Sequence, residues 1–216
     1  TAHSYLIGEM LRDLEGRIWA VDTKAHRLML FDRNTRAFRP FRPDLFDSLP
    51  VTAFRASSIL EDPEQNLWIT TLGGGLLYIP PARDTIRQFV THTEADTSIQ
   101  VGAHLYAAHY DSRGLIWLGS GDRGIYVFDP KAERVVRRYH AKGEGEFQLT
   151  EDWVESLTED PEGNIWVGFK SKGIQIIDPE GEQPFRRLTA EDGLPSEIVS
   201  AMVTDDNGDI WILTAA

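Results

Sequence analysis

The chain has 216 residues, of which 41% are hydrophobic and 26% charged, and this composition is typical of a globular protein with enough apolar residues to form a core. Its formal net charge of −12 excludes a surface that neutralises many phosphates, so we predict no nucleic acid partner and no membrane contact by this segment. The absence of cysteine excludes disulfides, thiolate nucleophiles and cysteine metal ligands.

A tryptophan recurs along the chain at intervals of 49, 49, 49 and 45 residues. An aspartate stands six residues before each of them, and an Ile or Leu comes directly before each one. A fixed period of this length is the signature of a repeat architecture. The five tryptophans are Trp19, Trp68, Trp117, Trp166 and Trp211.

The Asp-x-x-Gly segment before each tryptophan predicts a tight hairpin between the first and second strands of a repeat. The aspartate can accept backbone N–H groups across the turn, and glycine adopts positive φ at little cost. Gln65 occupies the glycine position in the second repeat. We predict structural roles for the five tryptophans, which pack one sheet against the next, and for the turn glycines Gly16, Gly114, Gly163 and Gly208.

The rest of each repeat predicts two more strands. A glycine seven residues after the tryptophan (Gly75, Gly124 or Gly173) opens the third strand, and the fourth ends near an aromatic residue. The first strand carries mostly small residues, as expected where strands crowd together near an axis. Apolar runs with a period of 3.6 residues are missing from the sequence, which disfavours helical repeats.

Radial repetition of four-stranded sheets is the β-propeller. We therefore predict an all-β fold in a single domain, 1–216, with about 4.5 blades of four antiparallel strands. The blades are predicted at approximately 3–42, 52–91, 101–140 and 150–188, with a half blade at 196–216. A propeller usually closes by building one blade from both chain ends, which this sequence cannot do. We expect an incomplete ring, a fragment of a larger propeller, with open edges that pair with the remaining blades or with a second copy.

The repeat resembles a known family. Asp205-x-x-Gly208-x-Ile210-Trp211, preceded by Asp192-Gly-Leu-Pro195, is similar to the repeat of the two-component regulator propellers, as is Trp117-Leu-Gly119 leading to Gly124-Ile125. The resemblance implies the periplasmic sensory region of a hybrid histidine kinase or diguanylate cyclase, which often recognises a glycan, with the output domain outside this chain. The sequence departs from the pattern at His26, Gln65 and Pro80.

Binding residues are expected on one end of the blades. In propellers the loops between the second and third strands share an end with the connections that lead to the next blade, and three of these connections are long: Pro40 to Phe54, Thr91 to Ala103 and Ala141 to Asp152. We predict a non-enzymatic, ligand-binding module of a signalling receptor, with no catalytic residue, no metal site and no cofactor. The candidate ligand residues are Lys24, Thr71, Asp122, Arg123, Glu151, Trp153, Lys170, Lys172 and Glu197.

Two motifs have competing interpretations. Gly119-Ser-Gly121-Asp-Arg-Gly124 matches the dinucleotide fingerprint, but the next residues predict a strand and not the helix that a pyrophosphate requires, so a hairpin loop is favoured. The acidic segment Asp205–Asp209 suggests calcium, yet it coincides with the repeated hairpin and lacks the glycine spacing of an EF-hand.

Two alternative functions stay open. Streptogramin lyases are also propellers with a Gly-x-Ile-Trp turn, and that hypothesis predicts a histidine and a glutamate converging with Mg²⁺ at the channel mouth. A protein-interaction scaffold would instead show a large apolar patch on one face.

Overall fold

The computed structural model describes residues 7–22, 27–49, 55–90, 101–142, 148–181 and 186–215. The chain divides into two compact units, Thr1–Leu105 and Tyr106–Ala216. Among the described residues, every sheet is antiparallel and each strand pairs with its neighbour in sequence. Lys24 lies outside the described residues.

The first unit contains two four-stranded sheets. The strands of sheet 1 are β1 (Ile7–Arg12), β2 (Ile18–Asp22), β3 (Arg27–Asp32) and β4 (Ala37–Pro40). A short helix, α1 (Pro43–Asp47), follows. The strands of sheet 2 are β5 (Arg55–Glu61), β6 (Leu67–Leu72), β7 (Gly75–Ile79) and β8 (Arg87–Phe89).

The second unit contains two more four-stranded sheets and one sheet of two strands. The strands of sheet 3 are β9 (Leu105–Tyr110), whose first residue belongs to the first unit, β10 (Ile116–Ser120), β11 (Ile125–Asp129) and β12 (Arg134–Tyr139). The strands of sheet 4 are β13 (Val154–Glu159), β14 (Ile165–Phe169), β15 (Ile174–Ile177) and β16 (Arg186–Leu188). Sheet 5 consists of β17 (Val199–Thr204) and β18 (Ile210–Thr214). The predicted all-β architecture of four-stranded blades is confirmed.

Each of the five repeated tryptophans hydrogen-bonds to the aspartate of its own hairpin turn. The indole Nε1–H donates to the carboxylate Oδ2 at 2.8 Å in sheets 1, 2 and 3 and at 2.9 Å in sheets 4 and 5. The other oxygen of Asp111 accepts the backbone N–H groups of Arg113 and Leu115. One carboxylate therefore holds both the turn and the ring. The hydrogen bonds from Trp19 and Arg17 keep the pKa of Asp13 below its usual value, although burial works in the opposite direction.

The tryptophan face of a sheet is covered by the sheet that follows it within each unit. Trp19 shares a core cluster with Ile59 of sheet 2, and Trp117 shares one with Leu157 of sheet 4. Trp166 packs in the same way against the cluster that contains Met202 of sheet 5. Trp211 differs, because 65% of it is exposed. No described sheet covers the indole of Trp211, so its packing role stays a prediction.

The long connection from Pro40 to Phe54 serves the core in its described part. Phe41 packs edge-on against Trp19, with ring centroids 4.9 Å apart. Phe46 of α1 and Leu49 are buried in the same cluster. We expected long connections to carry binding residues. Residues 40–49 instead pack their apolar side chains into the core beside sheet 1.

Two glutamates hold the hairpin turn of the preceding sheet. Glu61 at the end of β5 accepts the backbone N–H of Leu14 at 2.6 Å. Glu159 at the end of β13 accepts the backbone N–H of Ser112 at 2.8 Å and its hydroxyl at 2.6 Å. In the turn of sheet 4, Pro161 occupies the matching place and has no N–H to offer. A glutamate thus ends the first strand of a sheet where the turn of the preceding sheet has a backbone N–H that can donate to it.

Replacing Glu159 tests this contact. We expect Glu159→Gln to lower the free energy of unfolding by about 1–2 kcal/mol, because the charged acceptor of two hydrogen bonds is lost while the side-chain volume is kept. Urea denaturation measures the change. Glu162→Gln, at an exposed position of the next turn, is the matched control and is expected to stay within about 0.5 kcal/mol. Equal effects of the two substitutions would contradict the assignment.

Candidate functional site

Loops and connections meet at one end of the sheets in each unit. The backbone N–H that opens the third strand donates to a carbonyl just before the first strand of the next sheet. Gly75 N donates to Ala103 O at 3.1 Å, Gly124 N to Asp152 O at 3.0 Å and Gly173 N to Glu197 O at 2.9 Å. We call this end the loop face. The candidate ligand residues of the second unit lie in the loops and connections that form this face.

The three glycines of Gly119-Ser-Gly121-Asp-Arg-Gly124 each make room for a different neighbour. A Cβ on Gly119 would lie 2.6 Å from Val154 Cγ1, and a Cβ on Gly121 would lie 2.5 Å from the Tyr106 ring. Gly124 has φ +72° and faces the backbone carbonyl of Tyr139. The segment joins β10 to β11 as a hairpin loop, as predicted. Its glycines are explained by packing, and no helix follows them.

Trp153 is the centre of a cluster on the loop face of the second unit. It lies directly before β13 and is partly exposed. The Tyr106 ring lies against it at a centroid distance of 5.4 Å and a tilt of 43°. The Lys170 ammonium sits 3.3 Å above the centre of the indole, within the range of a cation–π interaction. The indole Nε1–H is buried and has no acceptor among the described residues.

The loop that carries Lys170 is tied to the segment before β13 by three hydrogen bonds. Lys170 N donates to Trp153 O at 3.2 Å. Ser171 donates to Glu151 twice, from its backbone N–H at 2.9 Å and from its hydroxyl at 3.0 Å. Both carboxylate oxygens of Glu151 are therefore engaged in holding the loop. The arrangement fixes the backbone on which the lysine stands and leaves its side chain exposed.

Asp122 and Arg123 form the neighbouring loop of the cluster. Their side chains approach to 3.8 Å, with Asp122 mostly exposed. The Arg123 carbonyl accepts a long hydrogen bond of 3.4 Å from Arg138, whose guanidinium lies 4.6 Å from the centre of the Tyr126 ring. Burial raises the pKa of Tyr126, so its phenol stays protonated at neutral pH. The positive charge of this loop, on Arg123, lies beside the carboxylate of Asp122.

The remaining predicted residues divide into two groups. Thr71 is buried, and its hydroxyl donates to Gly75 O at 2.8 Å and accepts from Gly74 N at 3.0 Å, so it closes its own loop and is removed from the candidate site. Lys172 is exposed and Glu197 partly exposed on the loop face. Tyr106 was missed by the sequence reasoning. Its signal was present, since Tyr106 is bulky where Ser57 and Ser200 are small.

The part of the chain that the structure describes contains no cluster of three or more His, Asp or Glu side chains that could hold a metal ion. A histidine and a glutamate do approach each other: His109 Nε2 lies 3.6 Å from Glu159 Oε2. Burial lowers the pKa of His109 against the opposing effect of that carboxylate. The pair lies beside the hairpin turns, at the end of the sheets opposite the loop face.

Two segments of the chain match a known repeat family. Residues 148–171 and 193–216 match the two-component regulator propeller. The match covers these two segments, 48 of the 216 residues. No match was found among curated proteins. Within the described residues, no helix has the length and apolar character needed to cross a membrane.

Solved structures with the same fold include both regulatory proteins and enzymes. The extracellular domain of BT4673 from B. thetaiotaomicron is 20% identical over 99% of this chain and 29% of its own length, with a TM-score of 0.76. A catalytically inactive virginiamycin B lyase from Staphylococcus aureus is 14% identical over 98% of this chain and 64% of its own, with a TM-score of 0.72. PorZ of Porphyromonas gingivalis is 20% identical over 97% of this chain and 31% of its own length, with a TM-score of 0.69.

The chain thus spans less than a third of the length of the BT4673 domain. At these identities the similarity shows a shared propeller fold and carries no residue-by-residue function.

Proposed function

We propose that this chain is a non-catalytic, ligand-binding part of the sensory region of a two-component or cyclic-di-GMP signalling receptor, located in the periplasm. The matched propeller repeats and the structural similarity to an extracellular domain support that setting. The kinase or cyclase activity would reside outside these residues. Signalling further requires that the ligand bind two states of the receptor with different affinity.

The ligand site is the Trp153 cluster, and the observation that carries it is a partly exposed indole flanked by a second aromatic ring on the loop face. An aromatic platform provides apolar area for the flat face of a sugar ring, and the rigid sheets on either side hold it in place. The resemblance to the regulator family favours a saccharide as the ligand. The polar groups of Glu151 and Ser171 border the platform.

Removing the platform tests the site. We expect Trp153→Ala to weaken saccharide binding at least about tenfold, because a buried aromatic contact often dominates a small interface. Isothermal titration calorimetry against a panel of neutral and acidic tetrasaccharides measures the dissociation constants. Trp211→Ala removes an exposed indole from the body of sheet 5 and is the matched control, with binding unchanged. Binding that survives in Trp153→Ala would move the site elsewhere.

The exposed apolar face of sheet 5 is a candidate surface for binding a further sheet. Val203 and Trp211 are cross-strand neighbours in sheet 5, and Leu213 continues the same face; all three are more than half exposed. The matching face of sheet 4 is covered by the sheet that follows it. We propose that a further sheet of the same repeat covers sheet 5, supplied by remaining blades or by a second copy, so that this patch serves assembly.

We propose no lyase chemistry for this chain. The similarity to virginiamycin B lyase concerns the fold. The described histidine and glutamate that approach each other, His109 and Glu159, lie away from the loop face.

A further inference from the structure

Lys170 occupies the surface that a ligand of the Trp153 platform needs. Its ammonium lies 3.3 Å from the ring centre, in the space where a stacked sugar carbon would sit at about 3.5–4 Å. A ligand that stacks on this face of the indole must therefore displace the ammonium. The Lys170 backbone does not need to follow, because its N–H is bound to Trp153 O and the next residue is held by Glu151.

Among the described residues, the Lys170 ammonium lies against the indole and forms no ion pair with a carboxylate. Both oxygens of Glu151 already accept hydrogen bonds from Ser171, and Asp122 lies beside Arg123. A neutral ligand that displaces the ammonium removes the cation–π contact, and its hydroxyl groups offer the lysine only uncharged hydrogen-bond acceptors. A ligand with an anionic group at the rim of its ring gives the ammonium a new partner, which converts the loss into a charge-assisted hydrogen bond.

We infer that Lys170 is a displaceable cover of the Trp153 platform and that it selects an acidic saccharide, one bearing a carboxylate or a sulfate, over its neutral counterpart. This inference rests on the proposed function, because it assigns the ligand class of the same site. The exposed Lys172, two residues further along, adds a second positive charge to the same loop. A local preference for anions is thus compatible with the overall charge of −12.

The test compares matched probes on the 216-residue chain. Calorimetry is carried out with uronate-bearing tetrasaccharides, sulfated tetrasaccharides and neutral tetrasaccharides of the same linkage. We expect at least one acidic probe to bind about ten times more tightly than its neutral counterpart, and the difference to shrink as salt is raised to about 0.5 M. Comparison of the uronate and sulfate arms identifies which anionic group is preferred.

The variants separate Lys170 from a general charge effect. Lys170→Ala is expected to weaken the acidic probe about tenfold and to leave the neutral probe unchanged or bound more tightly, because the cover is gone. Lys170→Arg is expected to retain the acidic preference. Lys131→Ala removes an exposed positive charge from the β11–β12 turn, at the other end of sheet 3, and is expected to change neither probe.

The failures are distinguishable. Neutral and acidic probes that bind equally, with both lost in Trp153→Ala, would overturn the selective role of Lys170 and keep the proposed site. An acidic preference that Lys170→Ala and Lys131→Ala reduce alike would also overturn it. Absence of binding by every probe would overturn the saccharide site and this inference together.

Discussion

Gly124→Ala is expected to lower the free energy of unfolding by about 3 kcal/mol or more, which is large against the typical stability of a domain. Gly124 has φ +72°, a left-handed conformation that costs an alanine about 1 kcal/mol or more. A Cβ at this position would also lie well inside van der Waals contact of the Tyr139 carbonyl and close to His140 Cα. Both are backbone atoms of the neighbouring strand end, so relief requires the end of β12 to move.

The chain contains a matched control for this substitution. Gly193 has φ +95°, and a Cβ there would meet nothing within 4 Å. Gly193→Ala should therefore cost only the backbone term, about 1 kcal/mol. Urea denaturation followed by circular dichroism measures both variants. The steric explanation predicts a clear gap between them, and equal losses would show that the backbone conformation alone selects glycine.

The same argument explains why a glycine opens the third strand in three sheets. Gly75 and Gly173 also have positive φ, and a Cβ on either would press against the last carbonyl of the fourth strand, at Phe89 or Leu188. The sequence shows a glycine seven residues after Trp68, Trp117 and Trp166, and the structure supplies the reason. The backbone of the fourth strand occupies the space that a side chain would need.

The fold was predictable because the repeated residues act through contacts with neighbours that are close in sequence. The Asp-x-x-Gly turn and the alternating second strand depend on neighbours a few residues away, so their spacing indicates the hairpin directly. Gln65 shows how robust the turn is, since it adopts φ +65° where the other repeats have glycine. The helix α1 was not predicted, because its role depends on the distant Trp19 cluster that receives Phe46.

The candidate site was predictable only in part. Trp153, Lys170 and Glu151 were selected because they lie in segments expected at one end of the blades, and the structure brings these three together. Thr71 was selected on the same ground, yet a threonine hydroxyl can also bond to its own loop, and it does. Sequence position identifies the end of a blade on which a residue lies. The direction of its side chain depends on packing that spacing does not reveal.

Trp117→Ala is expected to lower the free energy of unfolding by about 3–5 kcal/mol, the usual loss for a large aromatic residue in a core. Trp117 is almost fully buried between sheets 3 and 4, and its indole also hydrogen-bonds to Asp111. The substitution leaves a cavity and removes that donor from the buried carboxylate. The effect therefore combines lost burial with a lost hydrogen bond.

Trp211→Ala separates these two contributions. Trp211 makes the same hydrogen bond to its turn aspartate, at 2.9 Å, but its ring is mostly exposed. Its loss is expected to cost much less stability than the loss of Trp117, because it removes a solvent-exposed hydrogen bond and little buried area. The difference between the two variants measures the contribution of packing one sheet on the next.

A further readout checks that the hydrogen bond is lost in the control. The bond from Trp211 is the main cause that lowers the pKa of Asp205, so that pKa is expected to rise toward its usual value in Trp211→Ala. Titration of the Asp205 carboxyl by NMR measures this shift. If the two tryptophan variants lost equal stability, the repeated indole would act through its turn aspartate, and the inter-sheet packing would contribute little.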